Sequence, residues 1–296
     1  MIKNRLSKIL ISVTIISFSI SALIIGTRLA KTIDISNISV LSNQKIRILI
    51  VPGHEPDAGG ADEFKKIKER DLNLQLSNIL KDYLVKNKNI DVVMARDENG
   101  WNSSLENYVK TNQINIMNWV ADMKEKMFTK VDEGQIEIIN QGMKHNSATS
   151  SAVLFLYGTN KWIPENNIDL VLHIHFNNNP KINGKPNYSG YAMYVPEKQY
   201  SNSSSSKIFA NYLNEEISKI ENKSNMPQEK NTIIEDQQLI AVGNYDTLKI
   251  PSVVVEYAYI YEPVMISSST RNNFIKTAAS STATAINNYI NVELKK

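Results

Sequence analysis

The sequence predicts an α/β fold: a mostly parallel, twisted sheet flanked by helices, forming a single domain after an N-terminal transmembrane or signal segment. Three observations carry this reading. "KIRILIVPG" (Lys45–Gly53) is a short continuous apolar run, which implies a strand buried on both faces, as in a parallel sheet. Strand-like runs alternate with helix-like ones along the chain, the pattern of α/β layers. Of the 296 residues, those beyond the first forty or so suit one domain with a full core.

The elements follow in order. Lys3, Arg5 and Lys8 precede an uncharged run from Ile9 to Thr27, and Arg28 and Lys31 follow it. That run is long enough to cross a bilayer as one helix. Ser19 and Ser21 before Ala22 also suit a cleaved signal peptide. Apolar sequence continues past that point, which favours a retained anchor. The heavier positive flank on the N-terminal side directs the rest of the chain out of the cytoplasm. Residues 1–43 are thus assigned to an anchor or signal segment plus a polar tether, and 44–296 to the domain proper.

Within that domain, Leu72, Leu76, Ile79, Leu80 and Leu84 recur at helical spacing after the first strand. "IDVVMARD" (Ile90–Asp97) is a second strand. A long segment at about 98–167 shows patchy helical patterns and no strand, an insertion expected to lie over one rim of the sheet. "NIDLVLHIHFN" (Asn167–Asn177), "SGYAMYVP" (Ser189–Pro196) and "IPSVVVEYAYI" (Ile250–Ile260) are three further strands. Helices are expected over Ser206–Asn222 and Asn272–Leu294, with "YSNSSSSK" (Tyr200–Lys207) as a flexible loop between strand and helix.

Composition narrows the function classes. With 33 basic and 30 acidic residues the net charge is +3, and no basic run argues for nucleic acid. Cysteine is absent, which excludes disulfides and thiolate chemistry. Any metal must be held by histidines and carboxylates.

Ligands of open α/β sheets bind beyond the carboxyl ends of the strands. His54, one of only four histidines, follows the first strand at a Pro-Gly. Glu69 opens the first helix. His173 and His175 end the third strand, and Glu256 lies toward the end of the last. Four segments therefore deliver His or Glu to one edge. Two imidazoles and a carboxylate form a zinc set that leaves a position for water, and a further non-ligating Glu can take that water's proton. His54, Glu69, His175 and Glu256 fit this scheme.

At these residues the chain resembles the zinc-dependent N-acetylmuramoyl-L-alanine amidases of the Amidase_3 type. The resemblance rests on "VPGHEPDAGGA", "KERDLNLQL", "MARDE", "DLVLHIHFN" and "PSVVVEYAYI", in that order from Lys45 to about Tyr289. It implies His54, Glu69 and His175 as Zn2+ ligands and Glu256 as the catalytic base. It further implies a catalytic domain that cuts the amide between N-acetylmuramic acid and the L-alanine of peptidoglycan stems. The chain departs from the family pattern at Glu55 and Pro56, where two glycines are usual. His173 stands in place of Ser and Phe176 in place of Ala, and the segment between the second and third strands is longer. Some relatives carry a helical plug after the H-A-N element; here the stretch from His175 to Pro196 leaves no room for one.

Other readings accompany these. His173 shares a strand face with His175 and is either a supporting residue, a spare ligand or a packed neutral histidine. His145 reads as a surface residue, and Glu55 and Asp57 as acids near the metal or as solvated loop. Arg96 and Asp97 read as structural. Trp101, Trp119 and Trp162 read as packing residues that could also stack on a sugar. A zinc peptidase would use His54 with Asp57, or His173 with His175, and leaves Glu69 and Glu256 without roles. A non-catalytic wall-binding domain would have lost a ligand, whereas all four key residues are present. The expected partners are peptidoglycan and, through residues 1–43, the membrane.

Overall fold

The computed structural model describes residues 45–56, 67–139, 148–178 and 188–294. The apolar run Ile9–Thr27, its tether, Asp57, His145 and residues 179–187 of the stretch expected to exclude a plug lie outside them. Among the described residues no helix is long and apolar enough to cross a membrane.

Six strands form one sheet: β1 (Ile46–Pro52), β2 (Ile90–Met94), β3 (Leu170–Asn177), β4 (Ala192–Pro196), β5 (Ile233–Asp236) and β6 (Ser252–Tyr259). Their spatial order is β2-β1-β3-β6-β4-β5. The first four in that order run parallel. β4 pairs antiparallel with β6, and β5 runs parallel to β4, so the sheet reverses direction beyond β6. Around it lie α1 (Glu69–Leu84), α2 (Ser103–Thr111), α3 (Gln113–Asp132), α4 (Ser150–Glu165), α5 (Ser203–Ile217), α6 (Pro263–Ile266) and α7 (Ser268–Tyr289).

Side chains of a strand alternate between faces, and in β1 and β3 both faces are apolar. Ile48, Ile50, Leu170, Leu172, Ile174 and Phe176 join one core with α1, α5 and α7. Leu49, Val51 and Val171 join a second core with α2, α3 and α4. Layers on both sides explain why the β1 run shows no polar alternation. On α1, Leu72, Leu76, Leu80 and Leu84 repeat every fourth residue and are all buried, so the helix lays one stripe on the sheet. Ile79 packs partly against the same core.

Within about 98–167 the described residues include the helices α2, α3 and α4. Asn102 caps α2 by accepting from the amides of Ser104 and Leu105, and Thr149 caps α4 by accepting from Ala152. Two expectations need correction. The serine run is not a loop: α5 starts at Ser203, and Ser203 and Ser206 are buried and bonded. Ser203 Oγ donates to the Pro196 carbonyl at 2.9 Å, and Ser206 Oγ accepts from the Ser252 amide at 3.0 Å. β5, only four residues long, was not anticipated; it is an edge strand that the preceding β4 recruits.

Leu76 is fully buried at the centre of the α1 stripe. Leu76→Ala should destabilise the domain by about 2–5 kcal/mol. The check is a lower urea midpoint with an unchanged denaturant slope.

Candidate active site

The parallel strands β1, β3 and β6 end at one edge, and their last residues carry the chemistry. The Gly53 amide still pairs with the Ile174 carbonyl at 2.9 Å, so β1 stays locked to β3 up to the turn. The chain then turns at His54, whose φ of 66° lies in the left-handed region. Histidine tolerates that region better than most residues, though at a cost of about 1–3 kcal/mol.

Arg96 holds the turn in place. Its side chain is buried beneath the loop, with Nε donating to the Pro52 carbonyl at 3.0 Å. Nη2 donates to the carbonyls of Gly53 and Arg70, each at 2.8 Å. Asn73 Nδ2 adds a bond to the Gly53 carbonyl at 3.2 Å. The turn after β1 is thereby stapled to the first turn of α1. Burial lowers the Arg96 pKa to about 10, with the Asp71 charge acting in the opposite sense. Arg96 is structural, as expected, but the structure it holds is the His54 turn. Asp97 accepts from the Asn99 amide and shapes a surface turn.

Glu69 opens α1 and is 5% exposed. Its Oε1 lies 2.8 Å from His54 Nε2 and 3.0 Å from His175 Nδ1. The Phe176 amide reaches the same oxygen at 3.4 Å. Burial raises its pKa, but the hydrogen bonds from His175 and His54 outweigh that and hold the carboxyl well below the usual range. Burial lowers the His175 pKa, and the Glu69 bond works against it. The two imidazoles meet edge to face, centroids 5.0 Å apart.

One ligand atom from each of His54, Glu69 and His175 lies within 4.8 Å of the others. Two imidazole nitrogens and one carboxylate oxygen suit a divalent transition metal such as zinc. The surroundings fit a cation as well. Glu256 pairs in register with His175 and so shares its face. Its Oε2 is buried and has no hydrogen-bond partner. Burial, then the charges of Glu69 and Glu229, raise its pKa well above the ordinary value. A metal held by the triad would relieve this crowding of negative charge.

The triad depends on a glycine. A methyl group built on Gly53 would overlap the His175 imidazole, with Nδ1 only 2.6 Å away. The ring packs on the bare Cα of the turn.

The remaining candidates resolve as follows. His173 is 3% exposed and stands outside the donor cluster. Burial and the nearby His175 lower its pKa to about 3, so it is a packed neutral histidine. Glu55 accepts from Ser151 Oγ at 3.4 Å, tying the rim to α4. Trp162 is core, Trp119 packs partly against the same core, and Trp101 stacks on Phe155 with centroids 3.7 Å apart. Sequence reasoning missed Asn73, hidden in the helical pattern of α1. It also missed Glu229, in a short turn whose local sequence carries no signal.

The family profile described as "Amidase_3: N-acetylmuramoyl-L-alanine amidase" matches residues 48–288. The chain belongs to this family. The amidase therefore hydrolyses the amide between N-acetylmuramic acid and the L-alanine of the peptidoglycan stem. Its fold is similar to that of an N-acetylmuramoyl-L-alanine amidase from Clostridium difficile 630, with a TM-score of 0.50 and 18% identity, covering 85% of this chain and 99% of that one. It is similar to the CwlD amidase of Clostridioides difficile, solved in complex with the GerS lipoprotein. There the TM-score is 0.53 and the identity 15%, with 84% of this chain and 100% of that one covered. Ami1 of Mycobacterium smegmatis gives a TM-score of 0.53 at 11% identity, covering 85% of this amidase and 99% of that chain. No curated protein matches the sequence at a significant level.

Gly53→Ala should push the His175 ring off the turn and weaken the donor set. The expected outcome is a metal affinity lower by at least about tenfold, in the range that disturbed ligand support produces. Metal titration of the folded variant checks it, with circular dichroism confirming an intact sheet.

Proposed function

We propose that the amidase works with zinc held by His54 Nε2, Glu69 Oε1 and His175 Nδ1, and with Glu256 as its catalytic base. The observation that carries this reading is the convergence of those three donors beside Glu256, whose Oε2 is buried without a hydrogen-bond partner. Bound zinc would supply Lewis-acid polarisation of the scissile carbonyl and acidify the attacking water.

The chain's own groups supply the rest. His54 and His175 contribute neutral nitrogens, and Glu69 contributes the charge that draws a cation to them. Glu256 is left outside the donor set. It accepts the proton of the attacking water as a C–O bond forms at the muramyl lactyl carbonyl. It then returns that proton to the L-alanine nitrogen as the C–N bond breaks. Raised basicity suits a group that must first take and then give a proton. Arg96 and Asn73 keep the His54 turn against α1, so the donors keep their geometry through turnover.

Residues 1–43 are assigned, by their charged flanks and apolar run, to a membrane anchor or a cleaved signal. Either places the catalytic domain outside the cytoplasm, where peptidoglycan lies. The peptidase alternative gives Glu69 and Glu256 no function, although both face the donor cluster.

The test compares zinc content with cleavage rate in two variants. Glu256→Gln keeps shape and removes basicity, so zinc should stay stoichiometric while kcat falls by about a hundred- to ten-thousand-fold. His54→Ala should lose both metal and activity. Loss of zinc from Glu256→Gln would make Glu256 a ligand and end this assignment of roles.

A further inference from the structure

Beside Glu256 lies a second carboxylate that the mechanism above does not use. Glu229 is fully buried, with 0% exposure. Two donors reach its Oε1: Asn177 Nδ2 at 3.0 Å and the Tyr194 hydroxyl at 2.7 Å. Two reach its Oε2: the Tyr259 hydroxyl at 3.0 Å and Ser224 Oγ. Strands β3, β4 and β6 and the turn before β5 thus converge on one side chain.

Topology sets this cluster at the site. Residues two apart on a strand share a face, so Asn177 lies on the His173 and His175 side of β3, opposite Leu172, Ile174 and Phe176. Tyr194 pairs with Val254 and packs with it, on the face that also carries Glu256. Between His175 and Asn177 the register with β6 slips, from Glu256 opposite His175 to Tyr259 opposite Asn177. That irregularity brings the Tyr259 hydroxyl round to Glu229. The nearness of Glu229 to Glu256 is also felt electrostatically, since its charge helps raise the Glu256 pKa.

A carboxylate only accepts hydrogen bonds, so it dictates which half of a neighbouring amide faces it. Glu229 therefore compels Asn177 to turn its NH2 inward. Oδ1, the acceptor, is left on the other side of the amide, and among the described residues it receives no hydrogen bond. Asn177 itself is partly exposed at the open end of β3, two residues beyond the ligand His175.

We infer that Asn177 Oδ1 is a substrate-binding acceptor for a secondary-amide N–H of the muropeptide, and that Glu229 is the positioning residue that presents it. The inference rests on the amidase reading and extends it to substrate recognition. Two such N–H groups flank the scissile bond, one in the N-acetyl group of the sugar and one in the next peptide bond of the stem. Either has the right chemistry.

Three soluble substrates separate them: a native muropeptide, one lacking the N-acetyl group, and one N-methylated at the second peptide bond. Asn177→Ala should raise KM for the native substrate by about threefold to tenfold, the weight of one neutral hydrogen bond. Its kcat should stay within about twofold and its metal content should be unchanged. The variant should also lose the wild-type preference for the native substrate over one of the two altered ones, which identifies the N–H. Glu229→Gln no longer dictates the amide's orientation and should raise KM similarly, and combining the two changes should add little further.

An unchanged KM in Asn177→Ala, or full retention of both substrate preferences, overturns the inference. So does a fall in kcat together with metal loss at constant KM. If Glu229→Gln fails to fold, the substrate comparison in Asn177→Ala decides alone. A wild-type protein that cleaves none of the three substrates would instead strike the amidase reading, so the two failures are told apart.

Discussion

The His175 imidazole rests on the bare Cα of Gly53, and much of the active site follows from that contact. It requires β1 and β3 to be adjacent and parallel, so that the turn ending one strand meets His175 near the end of the other. It requires a residue without a side chain after Pro52, and it forces the following His54 into a left-handed turn to bring its ring back over Glu69. Arg96, at the end of β2, then fastens that turn to α1. Three consecutive strands in the order β2-β1-β3 thereby act on one point.

Burying ionisable groups is costly unless each finds a partner, and the site shows how this chain distributes that cost. Glu69 is stabilised in its charged form by the two histidines, so the three side chains that could hold a metal gather around a carboxylate. His173, just as buried, stays neutral, because burial and the proximity of His175 both oppose its proton. Glu256 is the exception. One of its oxygens is buried and unpartnered, and it stands among like charges. A group left in that state adds nothing to stability, and such perturbed groups cluster at functional sites. Where Ser is usual in the family, His173 fills the space as a compact core side chain, and its presence leaves the donor set intact.

The reversal of the sheet beyond β6 has a functional consequence. Because β4 runs antiparallel to β6, the start of β4 and the start of β5 lie at the same edge as the ends of β3 and β6. The turn that carries Glu229 is therefore carried to the catalytic edge, where a fully parallel sheet would put the end of a strand. Four hydrogen bonds to one buried carboxylate make this corner stiff. It abuts the end of β3, where Asn177 stands.

What the sequence by itself determined is whatever depends on local pattern. Short apolar runs marked β1, β2, β3 and β6, an apolar repeat every fourth residue marked α1, and the absence of Cys confined a metal to His and carboxylate. The ends of parallel strands must share an edge, so His54, Glu69, His175 and Glu256 were legible as one cluster. Only the tertiary structure decided the rest. The serine run that opens α5 looks like a loop because its hydroxyls are polar, and only packing supplies the Pro196 and Ser252 partners that let Ser203 and Ser206 be buried. β5 is too short to show a period, and exists because β4 offers an edge. His173 could not be told from a ligand until its burial was seen. Glu229 and Asn73 draw their roles from partners distant in the chain, Asn177 and Tyr194 for one, the Gly53 carbonyl for the other. A hydrogen bond between residues far apart in sequence leaves no periodic trace, because its geometry is set by the folded sheet and not by the spacing along the chain.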